Sequence, residues 1–271
     1  MEKKMFDSFK GKGAVIGMIH VPALPGTPFY SGPFGLLVDK VVRETEIFLK
    51  AGVDAVAIEN MHDIPYLNNS AGSEIIASMA VLASKVKTIF KGPVGIQILA
   101  ASNKEALSCA LVSDCQFIRA EGFVFAHTAD EGIIESCAGE LLRHRKIIGA
   151  DHIKIFTDIK KKHSSHSLTS DIDIIETAHA AEFFESDGII VTGKSTGQEA
   201  DLKEIQNLNS SIKVPLIVGS GVTYNNLDSY LLNSDAVIVG SYFKTDGFWK
   251  SDLELSKIKK FMNKCKRLRN W

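Results

Sequence analysis

Cysteine is scarce: four in 271 residues, at positions 109, 115, 137 and 265. No two form a C-x-x-C pair, and none stands with histidines at zinc-finger spacing. That argues against a disulfide framework or a structural zinc site and for reduced thiols inside a cell. Net charge is also nearly missing, because 31 basic residues meet 32 acidic ones to leave −1. The chain as a whole therefore lacks the footprint of a nucleic-acid binder, and no nucleic-acid partner is expected. No apolar run reaches the roughly 18 residues that a membrane helix needs. The opening "MEKKMFDSFKGKG" carries charges where a secretory signal carries an apolar segment. These absences lead to the expectation of a soluble, cytoplasmic protein without a transmembrane segment.

Hydrophobic residues are plentiful, at 45% of the chain. They fall into eight short runs rich in Val and Ile. The runs begin at 14 (AVIGMIH), 55 (AVAIEN), 94 (VGIQIL), 117 (FIRAEGF), 152 (HIKIFTDI), 188 (GIIVTG), 215 (PLIVGSG) and 236 (AVIVGS). Near-continuous rather than alternating apolar residues suit parallel strands buried on both faces. Between the runs lie segments with helical spacing, over 36–52, 73–90, 103–113, 173–186 and 224–233, with Gly52 as a stop for the first. A last basic segment, 252–270, places Leu255, Ile258, Met262, Cys265 and Leu268 on one face. Strand–helix alternation of this length predicts a (β/α)8 TIM barrel over 1–271, a single domain, with a large doubly wound sheet as the other architecture.

A weak repeat supports the barrel. A small residue or turn and then Asp precedes five of the strands, at Asp54, Asp114, Asp151, Asp187 and Asp235. Asp bonds its own backbone in tight turns. These five are therefore expected at strand N-termini, the structural face of a barrel.

The opposite ends then converge on one mouth, where barrel chemistry lies. Reading them off gives His20, Glu59 with Asn60, Gln97, Arg119 with Glu121, and Asp158. His20 is followed by a stretch holding four of the chain's seven prolines, between 22 and 33, which stiffens the loop. Glu59 and Glu121 stand beside apolar residues, so each suits proton transfer, a divalent cation or a salt bridge with Arg119. Metal use stays open. Asp158 closes its strand ahead of Lys160, His163 and His166, while Lys161 and Lys162 read as a solvated charge run. Lys154 is a weak candidate for a Schiff base. His20, Glu59, Glu121 and Asp158 are the candidate catalytic residues.

The last quarter adds "VGSG" at 218–221 and "VGS" at 239–241. Glycine lets backbone N–H groups approach an anion, serine adds a hydroxyl, and the seventh and eighth loops of such barrels commonly hold phosphate. "TGKSTG" (192–197) follows the sixth strand. The candidate ligand-binding set is thus Asn60, Thr192, Gly193, Ser195, Gly219, Ser220, Gly221, Gly240 and Ser241.

Taken together, "GMIHVPALPGTP", "GVDAVAIEN", "IRAEGF", "TGKSTG" and "VPLIVGSGVT…DAVIVGS" resemble the BtpA family over about residues 11–250. The resemblance implies a ribulose-phosphate-binding type of TIM barrel. The family positions it matches are His20, Glu59, Asn60, Glu121, Asp158, Thr192, Gly193, Gly219, Gly221 and Gly240. It implies no single reaction. One member is linked to photosystem I accumulation, and others look like enzymes of sugar or nucleoside phosphates.

The leading expectation is an enzyme that acts on a small phosphorylated metabolite by carboxylate or histidine proton transfer. Isomerisation, epimerisation, aldol cleavage and glycosidic cleavage all fit. The rival readings are a non-catalytic assembly or stability factor for a membrane complex, using the basic C-terminal segment, and a small-molecule sensor. That segment also leaves a peripheral membrane contact open. A homo-oligomer is compatible with the fold.

Overall fold

A computed structural model describes residues 13–193 and 199–269. Eight parallel strands close into a barrel: β1 (Ala14–His20), β2 (Ala55–Glu59), β3 (Val94–Gln97), β4 (Phe117–Ala120), β7 (Lys154–Asp158), β9 (Gly188–Thr192), β10 (Leu216–Gly219) and β11 (Ala236–Val239), with β1 paired to β11 at the seam. All eight apolar runs of the sequence supply one strand each. The remaining strands β5 (His127–Ala129), β6 (Gly132–Ile134) and β8 (Ser164–Ser165) form a small antiparallel sheet in the order β6-β5-β8. It joins the segment after β4 to the loop after β7. Strands of two or three residues leave no readable periodicity, so this sheet is not legible in the sequence.

The helices are α1 (Phe34–Ala51), α2 (Ser73–Ile89), α3 (Asn103–Val112), α4 (Ala138–Ile147), α5 (Ile174–Phe183), α6 (Leu202–Ser211), α7 (Leu227–Leu231) and α8 (Leu255–Arg269). Gly52 stops α1 as expected: at φ 76° its N–H reaches the carbonyls of Phe48 and Leu49. Asp173 and Glu176 form a capping box at the start of α5. Helices α4 and α6 went unseen because each buries only two side chains, Ala138 with Leu141 and Ile205 with Leu208. Such narrow apolar stripes do not rise above a charged background.

Parity along the strands separates two cores. Ile16, Met18, Ala57, Phe117, Phe156, Ile190, Ile217 and Ile238 fill the barrel, while Val15, Ile19, Val56, Ile58, Ile118 and Ile155 face the helices. The interior is possible only because glycine stands opposite bulk. A Cβ on Gly95 would lie 2.1 Å from the Phe117 ring, and one on Gly188 would lie 2.8 Å from the Phe156 ring. Continuing the inward parity to the top of the strands brings His20, Glu59, Gln97, Arg119 and Asp158 into one layer, with His20 beside Glu59 and Glu59 beside Gln97 in register.

The Asp repeat sits at the opposite, N-terminal end, but its bonding differs from expectation. Asp54, Asp187 and Asp235 accept from an N–H group within the first two residues of a neighbouring strand, those of Val15 (2.8 Å), Ile155 (3.0 Å) and Leu216 (2.9 Å). They stitch adjacent strands together rather than closing their own turns. Asp114 occupies a left-handed backbone (φ 55°), and Asp151 meets Lys146 at the surface. Lys154 also belongs to this end, paired with Asp187 at 2.8 Å, which removes it from any Schiff-base role at the mouth.

Candidate active site

The loops above the strand C-termini enclose a cavity with two lobes. The first, of about 210 Å³, is lined by His20, Glu59, Ser220, Gly221, Gly240 and Ser241, among others. The second, of about 270 Å³, is lined by Tyr66, Glu121, Asp158, Lys161 and Trp249, among others. Glu59, Met61, Arg119 and Lys162 line both. The sequence-derived set therefore divides. His20 and Glu59 share the first lobe with the two glycine–serine turns, while Glu121 and Asp158 line the second.

His20 is delivered by the end of β1 and is 6% exposed. Its Nδ1 lies 3.2 Å from the carbonyl oxygen of Trp249. A carbonyl only accepts, so Nδ1 carries the proton and Nε2 is a lone pair. Burial, reinforced by the Lys244 charge, lowers its pKa to about 3 and keeps the ring neutral. Its Nε2 is 3.7 Å from Glu59 Oε2, beyond hydrogen-bond length. Burial pushes the Glu59 pKa up against the pull of Arg119 and Lys162, with Glu121 and Asp158 reinforcing the rise. The pair thus combines a carboxyl biased toward its protonated form with a neutral imidazole whose Nε2 accepts hydrogen bonds, at one strand pair. Gly240 makes room for it: a Cβ there would lie 3.0 Å from His20 Cε1 and Nε2.

Asp158 is held by Arg119, whose Nε and Nη2 donate at 2.6 and 2.9 Å to its two oxygens. Burial works against the Arg119 charge, but Asp158, Glu59 and Glu121 outweigh it and raise the guanidinium pKa. Glu121 accepts from Gln97 Nε2 (3.3 Å), the Ala101 N–H (3.2 Å) and Lys161 Nζ (3.2 Å). Both carboxylates are therefore committed to fixed donors. Among the described residues no three His, Cys, Asp or Glu side chains are grouped so as to hold a metal ion.

The remaining candidate residues fall elsewhere. Asn60 is buried with both ends of its amide engaged, accepting from the Leu99 N–H (2.7 Å) and donating to Asp63 (2.8 Å), which in turn accepts from the Leu24 N–H (2.8 Å). It clips three loops together and does not line the cavity. Thr192 accepts from the Lys162 N–H at 3.3 Å, so it supports the loop that carries that lysine. Gly193 is buried beside it. Gly219 lies below the cavity, where a Cβ would meet Ile190 at 3.2 Å. Ser195, with Lys194 and Thr196, lies outside the described residues. Ser220 holds φ 74° and Gly221 φ 67°, so the turn after β10 bends through two left-handed residues.

Several cavity residues are not legible in the sequence, among them Tyr66, Asp130, Glu131, Lys161, Lys162 and Trp249. Lys161 and Lys162, which read in the sequence as a solvated charge run, turn inward. Lys161 pairs with Glu121, and Lys162 has its pKa lowered by burial and by Arg119. Trp249 lies in the segment after β11. Its only sequence signal was rarity, as one of two tryptophans.

A closed parallel eight-stranded barrel with its cavity above the strand C-termini is a TIM barrel. Among solved structures, thiamine phosphate pyrophosphorylase from Pyrococcus furiosus is similar to it with TM-score 0.60 and 11% identity, covering 96% of this chain and 98% of that one. N-(5'-phosphoribosyl)anthranilate isomerase from the same organism is similar at TM-score 0.58 and 12% identity, over 94% of this chain and 99% of that one. At these identities the likeness is one of fold.

The sequence places it more narrowly. The chain belongs to the BtpA family, whose profile matches residues 11–267. An uncharacterized mitochondrial protein of Caenorhabditis elegans is 47% identical, with 94% of each chain covered. Its mitochondrial label lends no support to the cytoplasmic expectation. An uncharacterized protein of Methanocaldococcus jannaschii is 35% identical over 98% of this chain and 99% of its own. The photosystem I biogenesis protein BtpA of Synechocystis is 28% identical over 90% of this chain and 84% of its own. Among the described residues no helix is long and apolar enough to cross a membrane.

Proposed function

We propose that the protein is an enzyme acting on a small phosphorylated metabolite, a sugar phosphate or a nucleotide-like compound. The phosphate rests against Ser220, Gly221, Gly240 and Ser241, and the reacting carbon lies next to His20 and Glu59. The observation that carries this reading is that both glycine–serine turns line one lobe with the His20–Glu59 pair. Glu59 gives or receives the proton, and neutral His20 orients the reacting group on the same side of the cavity by accepting a hydrogen bond at Nε2. Lys162, at the junction of the lobes, stabilises negative charge that develops on the substrate, and the Arg119–Asp158 pair beside it fixes the floor of that junction. Isomerisation, epimerisation and bond cleavage next to a carbonyl or glycosidic carbon all use this set. The solved structures named above for phosphate-bearing substrates lend the reading fold-level support only.

The assembly-factor reading draws on the name of the Synechocystis relative. The basic helix α8 gives it little further support, because much of its charge is spent within the chain. Arg269 pairs with Asp54, Lys264 with Asp228, and Lys257 and Lys260 sit over Tyr242 and Tyr224.

The test is a thermal-shift screen of phosphorylated metabolites followed by turnover assays on the hits. A ligand that binds only the folded chain raises its melting temperature. The expected result is a hit that Ser241→Asp abolishes and whose conversion Glu59→Gln slows by about 100-fold or more, the scale of lost acid–base catalysis. Hits indifferent to Ser241→Asp, or turnover indifferent to Glu59→Gln, contradict the reading.

A further inference from the structure

The two lobes are built from different chemistry. The first presents glycine backbone and the hydroxyls of Ser220, Thr223 and Ser241. The second presents the Trp249 and Tyr66 rings, apolar Leu99 and Ala100, and the carboxylates Asp130 and Glu131 from the turn between β5 and β6. Its own cations are largely spent on its own acids, Arg119 on Asp158 and Lys161 on Glu121. A second phosphate would meet the carboxylates Asp130 and Glu131, while Lys162, which lines both lobes, is shared with the phosphate of the first. Moreover, this lobe is the larger, and the two together reach the volume of cavities that hold drug-sized ligands, about 300–1,000 Å³.

Trp249 is a prepared surface. Its carbonyl bonds His20, and its ring packs on His62 with centroids 4.7 Å apart and lies edge-on to His20 at 6.4 Å. With Phe248, whose ring centroid lies 6.0 Å away, these neighbours set its orientation next to the His20–Glu59 pair. Lys250 sits over the ring at 5.0 Å but does not line the lobe.

We propose that the second lobe receives a planar ring bearing N–H groups, carried by the same ligand whose phosphate occupies the first lobe. The ring stacks on Trp249 and donates at its edge to Asp130 and Glu131. The substrate is then a phosphorylated compound with a heterocycle, of the nucleoside monophosphate class, rather than a plain sugar phosphate. This inference rests on the phosphate reading of the first lobe.

The experiment is calorimetric titration of the full chain with ribose 5-phosphate and with the four ribonucleoside 5'-monophosphates. It is repeated with Trp249→Leu, Trp249→Phe and an Asp130→Asn/Glu131→Gln double variant. At least one nucleotide is expected to bind about tenfold or more tightly than ribose 5-phosphate, the scale of one stacked base. Trp249→Leu removes that advantage, Trp249→Phe keeps most of it, and the double variant reduces it. Ribose 5-phosphate binds all four proteins alike. The double variant changes an exposed turn, so it keeps the test decisive if Trp249→Leu folds poorly. Equal binding of nucleotides and ribose 5-phosphate to the parent chain, or an advantage that survives both Trp249→Leu and the double variant, overturns the ring and leaves the phosphate reading standing. No binding by any of the five probes overturns both.

Discussion

The Arg119 guanidinium meets both carboxylate oxygens of Asp158, at 2.6 and 2.9 Å, with each side chain almost wholly buried. A buried bidentate pair of this kind is costly to break from one side, because the surviving charge is left in a poor solvent. Arg119→Met is expected to destabilise the fold by about 3–5 kcal/mol, read from urea unfolding. An unchanged midpoint would show that Asp158 finds another partner or a proton.

The pair Lys244–Glu44 poses the same question away from the acids of the mouth. Its members are 2% and 5% exposed, 2.8 Å apart, and among the described residues Glu44 Oε2 has no hydrogen-bond partner. Burial raises the Glu44 pKa despite Lys244. Lys244→Met alone is expected to cost about 3–5 kcal/mol, whereas Lys244→Met with Glu44→Leu regains most of it. A double variant as unstable as the single one would show that the pair itself, and not the orphaned carboxylate, matters.

Gly240→Ala isolates the contact that seats His20. The added methyl would stand 3.0 Å from the imidazole. Overpacking of this size costs about 1–3 kcal/mol. A displaced His20 is expected to abolish turnover at a temperature where the variant is still folded, as checked by circular dichroism. Full activity in a folded Gly240→Ala would remove His20 from the chemistry.

Acid stability follows from buried histidines. His127 is 6% exposed, its Nε2 has no hydrogen-bond partner among the described residues, and burial, with Lys161 and His166, lowers its pKa to about 4 from 6.5. His20 behaves alike, at about 3. Between pH 6.5 and these values the unfolded chain binds protons that the folded chain does not. Stability from this source is therefore fully present above 6.5 and is lost as pH falls toward 4. Buried Glu59 and Glu44, with raised pKa values, work in the other direction and lose their contribution as pH rises. His127→Phe is expected to flatten the fall in melting temperature between pH 6.5 and 4. A slope equal to that of the parent chain would contradict the assignment.

Much of the barrel was legible because its physics is periodic. Parallel strands buried on both faces must be apolar throughout, so all eight stood out, and the Asp residues at 54, 187 and 235 recur because each ties down a neighbouring strand. His20 and Glu59 were legible as ionisable residues at strand ends. The division of the cavity was not, since it depends on which loop folds over which strand. Lys161 and Lys162 sit in a charged run that looks solvated until Glu121 and the burial of the loop after β7 are known. Asn60 carries a polar side chain at the right strand end, yet its amide is used up by Leu99 and Asp63, a fact only the tertiary arrangement contains. Trp249 belongs to an aperiodic segment, where sequence pattern has nothing to act on.

The claim on which the functional account turns is that the turns after β10 and β11 hold a phosphate beside His20 and Glu59. A crystal structure of the chain with a phosphorylated ligand from the thermal-shift screen tests it directly. The account predicts the phosphate against Ser220, Gly221, Gly240 and Ser241, with a ligand carbon facing His20 Nε2. A phosphate bound anywhere else on the chain, with that lobe empty, would contradict it.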